Sequence, residues 1–277
     1  MKIQYDIILM DINNISICGV GFVGNAVMTY LANYKNIFHI FAYDKYKKLN
    51  TFADLLKSDL CFICLPTQYD NETKTYDMSE IDLTFKQFSE QHYRGILLIK
   101  STVLPKYCQK INDTYPNLRI IHNPEFLSAR TALEDFAQQK HIILGSTQQS
   151  AESLTTVVSF YKRLFPLAQV SVCTSEEAAL TKLACNSFYA TKVQFFSELY
   201  LLCDRLNVSY EEVKEMMLKN GWIHAQHMSV PGHDGQISFG GACLPKDISA
   251  LNEFMKELSI PHKVIEAVIQ ERNEMRD

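Results

Sequence analysis

Short apolar runs alternate with longer amphipathic stretches through the first half of the chain. The runs Asn14–Gly19, His39–Asp44, Leu60–Pro66, Gly95–Lys100, Arg119–His122 and His141–Gly145 are rich in Ile, Leu and Phe and too short for buried helices, so they predict strands. Between them Phe22–Tyr34, Leu49–Lys57, Asp77–Gln91 and Pro105–Tyr115 read as helices. Apolar strands alternating with helices predict an α/β fold, a Rossmann-like doubly wound parallel sheet covered on both faces.

The pattern then changes. From Ser175 to Asn207 there is no Gly or Pro, and Leu180, Leu183, Phe188, Phe195, Leu199 and Leu202 recur at helical spacing. One long helix is predicted, with Glu176 and Glu177 in the first turn, where the helix dipole favours acids. Ser209 followed by Glu212 reads as a capping box opening a second helix. A Gly-rich loop runs from Gly232 to Gly241, and Asp247–Leu258 and Pro261–Met275 read as two more helices. The expected organisation is a Rossmann-like domain over 1–173 and an all-helical domain over 174–277.

Composition narrows the function classes. The chain of 277 residues carries a net charge of −4, so no basic field draws it to nucleic acid or an anionic membrane. No apolar run approaches the ~20 residues that cross a bilayer. Met1–Met10 holds only a short apolar patch without a small-residue cleavage site, which is not a signal peptide. The eight cysteines sit mostly in apolar runs, as reduced thiols of a cytoplasmic protein do. Cys61 and Cys64 form a C-x-x-C spacing, but inside a strand-like run, where two buried cysteines are the plain reading.

Two loops carry chemistry. Gly19-Val-Gly-Phe-Val-Gly24 is G-x-G-x-x-G between a strand and a helix. Gly19 suits the tight turn, Gly21 the approach of a pyrophosphate and Gly24 close helix–strand packing, with the anion on the N–H groups around Phe22 and Val23. Asp44 closes the next strand about 20 residues on, where a carboxylate accepts from a ribose diol and repels a 2′-phosphate. NAD is therefore expected over NADP, with neighbouring Lys45 weakening that preference slightly. The second loop is Phe239-Gly-Gly-Ala-Cys-Leu-Pro-Lys-Asp247. Cys243 follows two glycines and precedes Lys246 and a helix start, both of which favour a thiolate. It reads either as a nucleophile or as an ordinary loop cysteine. Lys182 and Asn186 share one face of the long helix, pointing into a cleft or into solvent. His224, His227 and His233, with Asp234, fall in a loop without the pinning that a metal site needs, so no metal is expected.

Taken together, these segments resemble the UDP-glucose/GDP-mannose dehydrogenase family. The matching stretches are Gly19–Gly24, Leu65-Pro66-Thr67, Lys100-Ser-Thr-Val103, Asn123-Pro-Glu-Phe-Leu127, Lys182-Leu-Ala-Cys-Asn186 with Glu198 later, and Phe239–Asp247, in family order. The resemblance implies NAD-dependent oxidation of the C6 alcohol of a nucleotide sugar to a carboxylate in two steps. Cys243 would attack the aldehyde, giving a thiohemiacetal that is oxidised to a thioester. Lys182 would stabilise the oxyanion and Asn186 assist by a hydrogen bond. Asp247, helped by Thr102, would position or activate the hydrolytic water. Glu125 would serve as acid/base or substrate contact. Phe126, Leu127, Phe239, Gly240 and Gly241 would meet the sugar, and Pro66, Thr67, Ser101 and Lys246 would line the NAD site. The resemblance also implies a homodimer through the long helix, for which Phe188, Phe195, Phe196, Leu199 and Tyr200 offer an apolar stripe. Burial under the two C-terminal helices is the competing use of that stripe.

Three departures from the family pattern stand out. Members continue into a third, Rossmann-like domain that holds the nucleotide, whereas this sequence reaches only Asp277. A second family glutamate is replaced by Ala129, and the family's Arg before the cysteine loop is missing from Trp222–Met228. The alternative function is accordingly a truncated NAD-binding, dimerising module with little or no turnover. A simple β-hydroxyacid dehydrogenase shares the general layout but needs no cysteine string.

Overall fold

The computed structural model describes residues 12–276. The stretch Met1–Met10, read above for a signal peptide, lies outside them. Along the chain come β1 (Asn14–Cys18), α1 (Phe22–Leu31), β2 (His39–Tyr43), α2 (Phe52–Leu55), β3 (Leu60–Ile63), β4 (Tyr69–Asp70), β5 (Thr75–Tyr76), α3 (Ser79–Glu90), β6 (Ile96–Ile99), α4 (Tyr107–Thr114) and β7 (Arg119–His122). They are followed by α5 (Ala132–Ala137), β8 (His141–Ser146), α6 (Leu154–Leu164), β9 (Gln169–Thr174), α7 (Ser175–Leu206), α8 (Tyr210–Lys219), α9 (Leu244–Glu257) and α10 (Lys263–Arg276). The chain forms two compact units. The first holds residues up to Thr67 and Asp77–Lys182; the second holds Gln68–Tyr76 and the chain from Leu183 on.

The first unit is a seven-stranded sheet in the order β2-β1-β3-β6-β7-β8-β9. Every residue of β3 and β6 is buried, as central strands covered on both faces require. Side chains alternate between two cores. Ile15, Ile17, Leu60, Phe62 and Leu98 pack with Val27 of α1 and Val157 and Phe160 of α6. Cys61, Ile63, Leu97 and Ile99 pack with Phe85 and Phe88 of α3 and Ile111 of α4. Cys61 and Cys64 join opposite cores, and none of the eight cysteines forms a disulfide. Burial pushes the Cys61 thiol up to about 12.

The structure adds hairpin β4–β5 and helices α5 and α6 to the elements expected from the sequence, and it differs at two strands. Strand β8 runs antiparallel to β7, pairing Ile121 with Ser146 and His122 with Gly145, while the other pairings of this sheet are parallel. A buried run such as His141–Gly145 reads alike in either direction, so its pattern carries no orientation. The edge strand β9 went unpredicted because it alternates exposed Gln169 with half-buried Val170 instead of forming a solid apolar run.

The second unit contains hairpin β4–β5, the rest of α7, and α8 to α10. Ala190, Phe239 and Ile248 form one small core with Ile265, Val268 and Ile269 of α10. Phe196, Cys203, Tyr210 and Met228 form another. Ser209 caps α8 by accepting from the Glu212 N–H at 3.3 Å. The start of α7 is fixed by a reciprocal cap: Thr174 Oγ1 accepts from the Glu177 N–H at 3.2 Å, and Glu177 Oε2 accepts from the Thr174 N–H at 2.8 Å. The α7 side chains Phe188 and Phe195 are exposed, whereas Phe196 is buried.

Candidate active site

The glycine turn joins β1 to α1. Gly19 has φ +88°, and a Cβ there would press on the Cys64 carbonyl. A Cβ on Gly24 would collide with the Gly19 carbonyl oxygen, whereas one on Gly21 would meet nothing. The turn thus needs Gly19 and Gly24 for its own closure and leaves Gly21 open to a ligand. Phe22 is exposed and Val23 half-buried at the helix start. Asp44 Oδ2 accepts from the Val20 N–H at 2.9 Å and Oδ1 from the Tyr46 N–H at 3.0 Å. Partial burial raises its pKa, but these two N–H donors and nearby Lys47 outweigh that and hold the carboxyl below its usual value. A cleft of about 480 Å³ lies over Val20, Gly21, Phe22, Lys47 and Arg130. Open N–H groups, an ionised ribose acceptor and two cations at the cleft fit a dinucleotide with a pyrophosphate. Lys45 instead pairs with Glu80 at 2.8 Å on the surface.

Loops after β3 and β6 are laced together: Thr67 Oγ1 donates to the Thr102 carbonyl at 2.8 Å and Ser101 Oγ to the Leu65 carbonyl at 2.7 Å, with Pro66 exposed between them. Past β7, Glu125 Oε2 accepts from the Leu127 N–H at 2.6 Å, and Lys182 Nζ reaches Oε1 at 3.3 Å. Lys182 is 3% exposed, and its ammonium lies 5.1 Å from the Phe126 ring centre. Behind this pair, Lys100 Nζ donates to Asn123 Oδ1 at 3.0 Å. Burial pushes Lys100 down to about 8 and the neighbouring His122 down to about 4.

In the second unit Asp247 is fully buried. Its Oδ1 accepts from the Tyr76 hydroxyl at 2.6 Å and Lys246 Nζ at 2.5 Å, and its Oδ2 from Asn186 Nδ2 at 2.6 Å. Burial and the facing carboxylate hold the Tyr76 phenol well above its ordinary pKa, so it remains a donor. Cys243 occupies the N-cap of α9, and its carbonyl accepts from the Asp247 N–H at 3.0 Å. Pro245 opens the helix, where a missing N–H costs nothing.

The glycine loop before Cys243 is held by Arg276 at the end of α10. The guanidinium donates to the carbonyls of Ile237 at 2.8 Å and Ser238 at 2.7 Å, and to Asp234 Oδ2 at 2.8 Å. A Cβ on Gly240 would strike that guanidinium. Gly241 has φ +78° and open space above it, while the Phe239 side chain is buried in the core. Phe239 therefore has only backbone to offer a ligand.

Lys182, Glu125 and Phe126 are thus brought together in the first unit, and Asn186, Asp247 and Lys246 in the second. Lys246, expected among the cofactor residues, is placed against Asp247 and 4.7 Å from the Tyr76 ring centre. Sequence reasoning missed Tyr76, Lys47, Arg130 and Arg276. A lone Tyr in a two-residue strand and an Arg at a helix end carry no local signal. Among the histidines, His227 stacks on Tyr189 at 4.6 Å, and the described residues hold no group of three or more His, Cys, Asp or Glu suited to a metal.

Residues 39–165 match the model of the UDP-glucose/GDP-mannose dehydrogenase family's NAD binding domain, and residues 176–274 match its central domain. A UDP-glucose 6-dehydrogenase of Rickettsia bellii is 31% identical over 188 residues, covering 65% of this chain and 41% of that protein. The chain spans about half the length of such curated relatives. A UDP-glucose dehydrogenase of Pyrobaculum islandicum shares the fold, with TM-score 0.83 and 21% identity over 95% of this chain and 68% of that one. The 3-hydroxyisobutyrate dehydrogenase of Mycobacterium tuberculosis also shares it, with TM-score 0.71 and 12% identity over 94% and 92% of the two chains. That second likeness shows how general the layout is, and the two domain matches carry the distinction: this chain belongs to the UDP-glucose/GDP-mannose dehydrogenase family, with an NAD binding domain followed by a central domain.

Proposed function

We propose that this chain carries the chemistry of NAD-dependent oxidation of a nucleotide sugar, UDP-glucose-like, from the C6 alcohol to the carboxylate, with Cys243 as nucleophile. The observation that carries the reading is the buried Asp247 cluster one helical turn after Cys243, built from Tyr76, Lys246 and Asn186. Such a costly polar cluster beside a thiol at a helix N-terminus suits a positioned reaction centre. NAD, held by the Gly19–Gly24 turn, Asp44, Pro66, Thr67 and Ser101, supplies the two two-electron oxidations that alcohol to acid requires.

The residues divide the remaining work. The Cys243 sulfur bonds to the aldehyde carbon, and Lys182 balances the charge arising on oxygen. Glu125, two residues from the backbone of Leu127 that binds it, takes or returns the alcohol proton. Oxidation of the thiohemiacetal leaves a thioester. Water then adds to its carbonyl, positioned by Asp247 and Thr102, and the acid leaves as the thiol is restored. Asn186 orients Asp247. The exposed Phe188 and Phe195 on α7 support a homodimer through that helix, and charged substitutions there would lower the mass seen in sedimentation.

A second reading is an NAD-binding, dimerising module without turnover, supported by Ala129, which stands where the family resemblance places a second glutamate. One assay separates the two. Protein is incubated with NAD and UDP-glucose, GDP-mannose or a UDP-N-acetylhexosamine, and the formation of NADH is followed by its absorbance. Turnover that Cys243→Ser abolishes supports the enzyme. NAD binding without NADH on any sugar supports the module.

A further inference from the structure

Ser238 is held in a conformation that it would not choose alone. Its φ is +65°, in the left-handed region that a residue with a Cβ rarely adopts, and it is 3% exposed. Each of its polar groups is engaged. The N–H donates to Ser197 Oγ at 2.9 Å, the hydroxyl donates to Gln194 Oε1 at 2.5 Å, and the carbonyl accepts from Arg276 at 2.7 Å. The first two partners belong to α7 and the third to α10. A strained residue persists where its surroundings over-determine it, and such residues cluster at working sites.

Arg276 is the most costly of these partners. Its side chain is 8% exposed, and a guanidinium is rarely buried so far unless its donors are used. One goes to Asp234, and the others go to the consecutive carbonyls of Ile237 and Ser238. What this clamp steadies is the approach to Cys243. Phe239 follows Ser238 and sits in the same small core as Ile248 of α9. Apolar packing is non-directional, whereas hydrogen bonds of fixed length and angle set a direction. Gly240 and Gly241 come next and have no side chain to hold the segment, and Gly241 has φ +78° with open space above it. Cys243 then occupies the N-cap of α9. The thiol's place at that helix end thus hangs between the Ser238 clamp and α9 itself.

We propose that Arg276 is a positioning residue for Cys243. Through the Ile237 and Ser238 carbonyls it keeps the sulfur within the field of the α9 N-terminus, where a thiolate is favoured. Its bearing on turnover rests on the proposed reading of Cys243 as nucleophile, whereas its effect on the thiol does not.

The test is alkylation of the full chain by iodoacetamide, in which the thiolate displaces iodide, followed by mass spectrometry of the peptide that carries Cys243. In Arg276→Met the rate at neutral pH is expected to fall about threefold, as the sulfur leaves the helix field. At alkaline pH, where the thiol is ionised in both proteins, the two rates should agree. A merely structural role gives another result, because a loosened loop exposes the sulfur and raises the rate at every pH. Arg276→Lys keeps the charge but loses the planar fork, and it carries the same expectation should the methionine variant not fold. A neutral-pH rate equal to the parent's, or a rate raised at every pH, overturns the proposal. NADH turnover that survives Cys243→Ser would instead count against the proposed function and leave the alkylation result standing, so the two failures are distinguishable.

Discussion

Glu125 and Asp247 are both buried carboxylates facing a lysine, yet they are built in opposite ways. Asp247 gathers donors from β5, α7 and α9, three separate elements, at 2.5–2.6 Å. Glu125 has one short bond to its own loop and a lysine at 3.3 Å, long for a charge-assisted contact. A carboxylate offers about four lone-pair sites, so Asp247 is nearly filled while Glu125 retains acceptor capacity. The difference teaches that Asp247 serves first as a staple that fixes its neighbours, and that Glu125 is the better placed to exchange a proton.

The hardest test of that contrast is Asp247→Leu, which strands two buried donors, Tyr76 and Asn186, and the part-buried Lys246. Urea unfolding should show a loss of about 3–5 kcal/mol. A loss below ~1 kcal/mol would mean that the staple does not exist. The next is Lys182→Met, expected to cut NADH turnover about a hundredfold or more, as removal of one oxyanion partner does. Unchanged turnover would remove the lysine from the chemistry.

Buried bases distinguish the first unit further, because Lys100 lies at about 8, below its ordinary 10.5. Between those values the unfolded chain binds more protons than the folded one, so this group makes stability rise with pH there and adds none of that rise below pH 8. From pH 8 to 10 the rise should be about 2 kcal/mol. Buried Cys and Tyr groups, raised by desolvation, act in the opposite sense. The readout is therefore wild type minus Lys100→Met, and a flat difference would reject the assignment. The smallest effect belongs to Glu125→Gln, at about 1 kcal/mol in the same unfolding experiment, well short of the cost at Asp247.

Much of this architecture was legible in the sequence for physical reasons. Central strands such as Leu60–Ile63 must be apolar on both faces, so they show as solid runs. The glycine turn showed because closure forbids a side chain at Gly24. The pairing of Lys182 with Glu125 is different: the two residues lie 57 positions apart, and neither carries a local mark of the other. Tyr76 was invisible for the same reason, reaching Asp247 across 171 positions. The reversal of β8 was invisible because hydrophobic pattern encodes burial and not strand direction. Local stereochemistry thus announces loops, while the partners that complete them come from tertiary folding.

The Arg276 clamp on the glycine loop has a consequence for how this protein can vary. Any side chain at Gly240 needs the space that the guanidinium fills, and the guanidinium is what holds the Ile237 and Ser238 carbonyls. Gly240→Ala alone should disturb the loop, and trimming Arg276 in the same chain should relieve the collision without restoring the tether. The two positions, distant in the chain, therefore behave as one heritable unit. A side chain at Gly240 must push the flexible end of the arginine aside, so a descendant that gains one there gives up the arginine's hold on the two carbonyls.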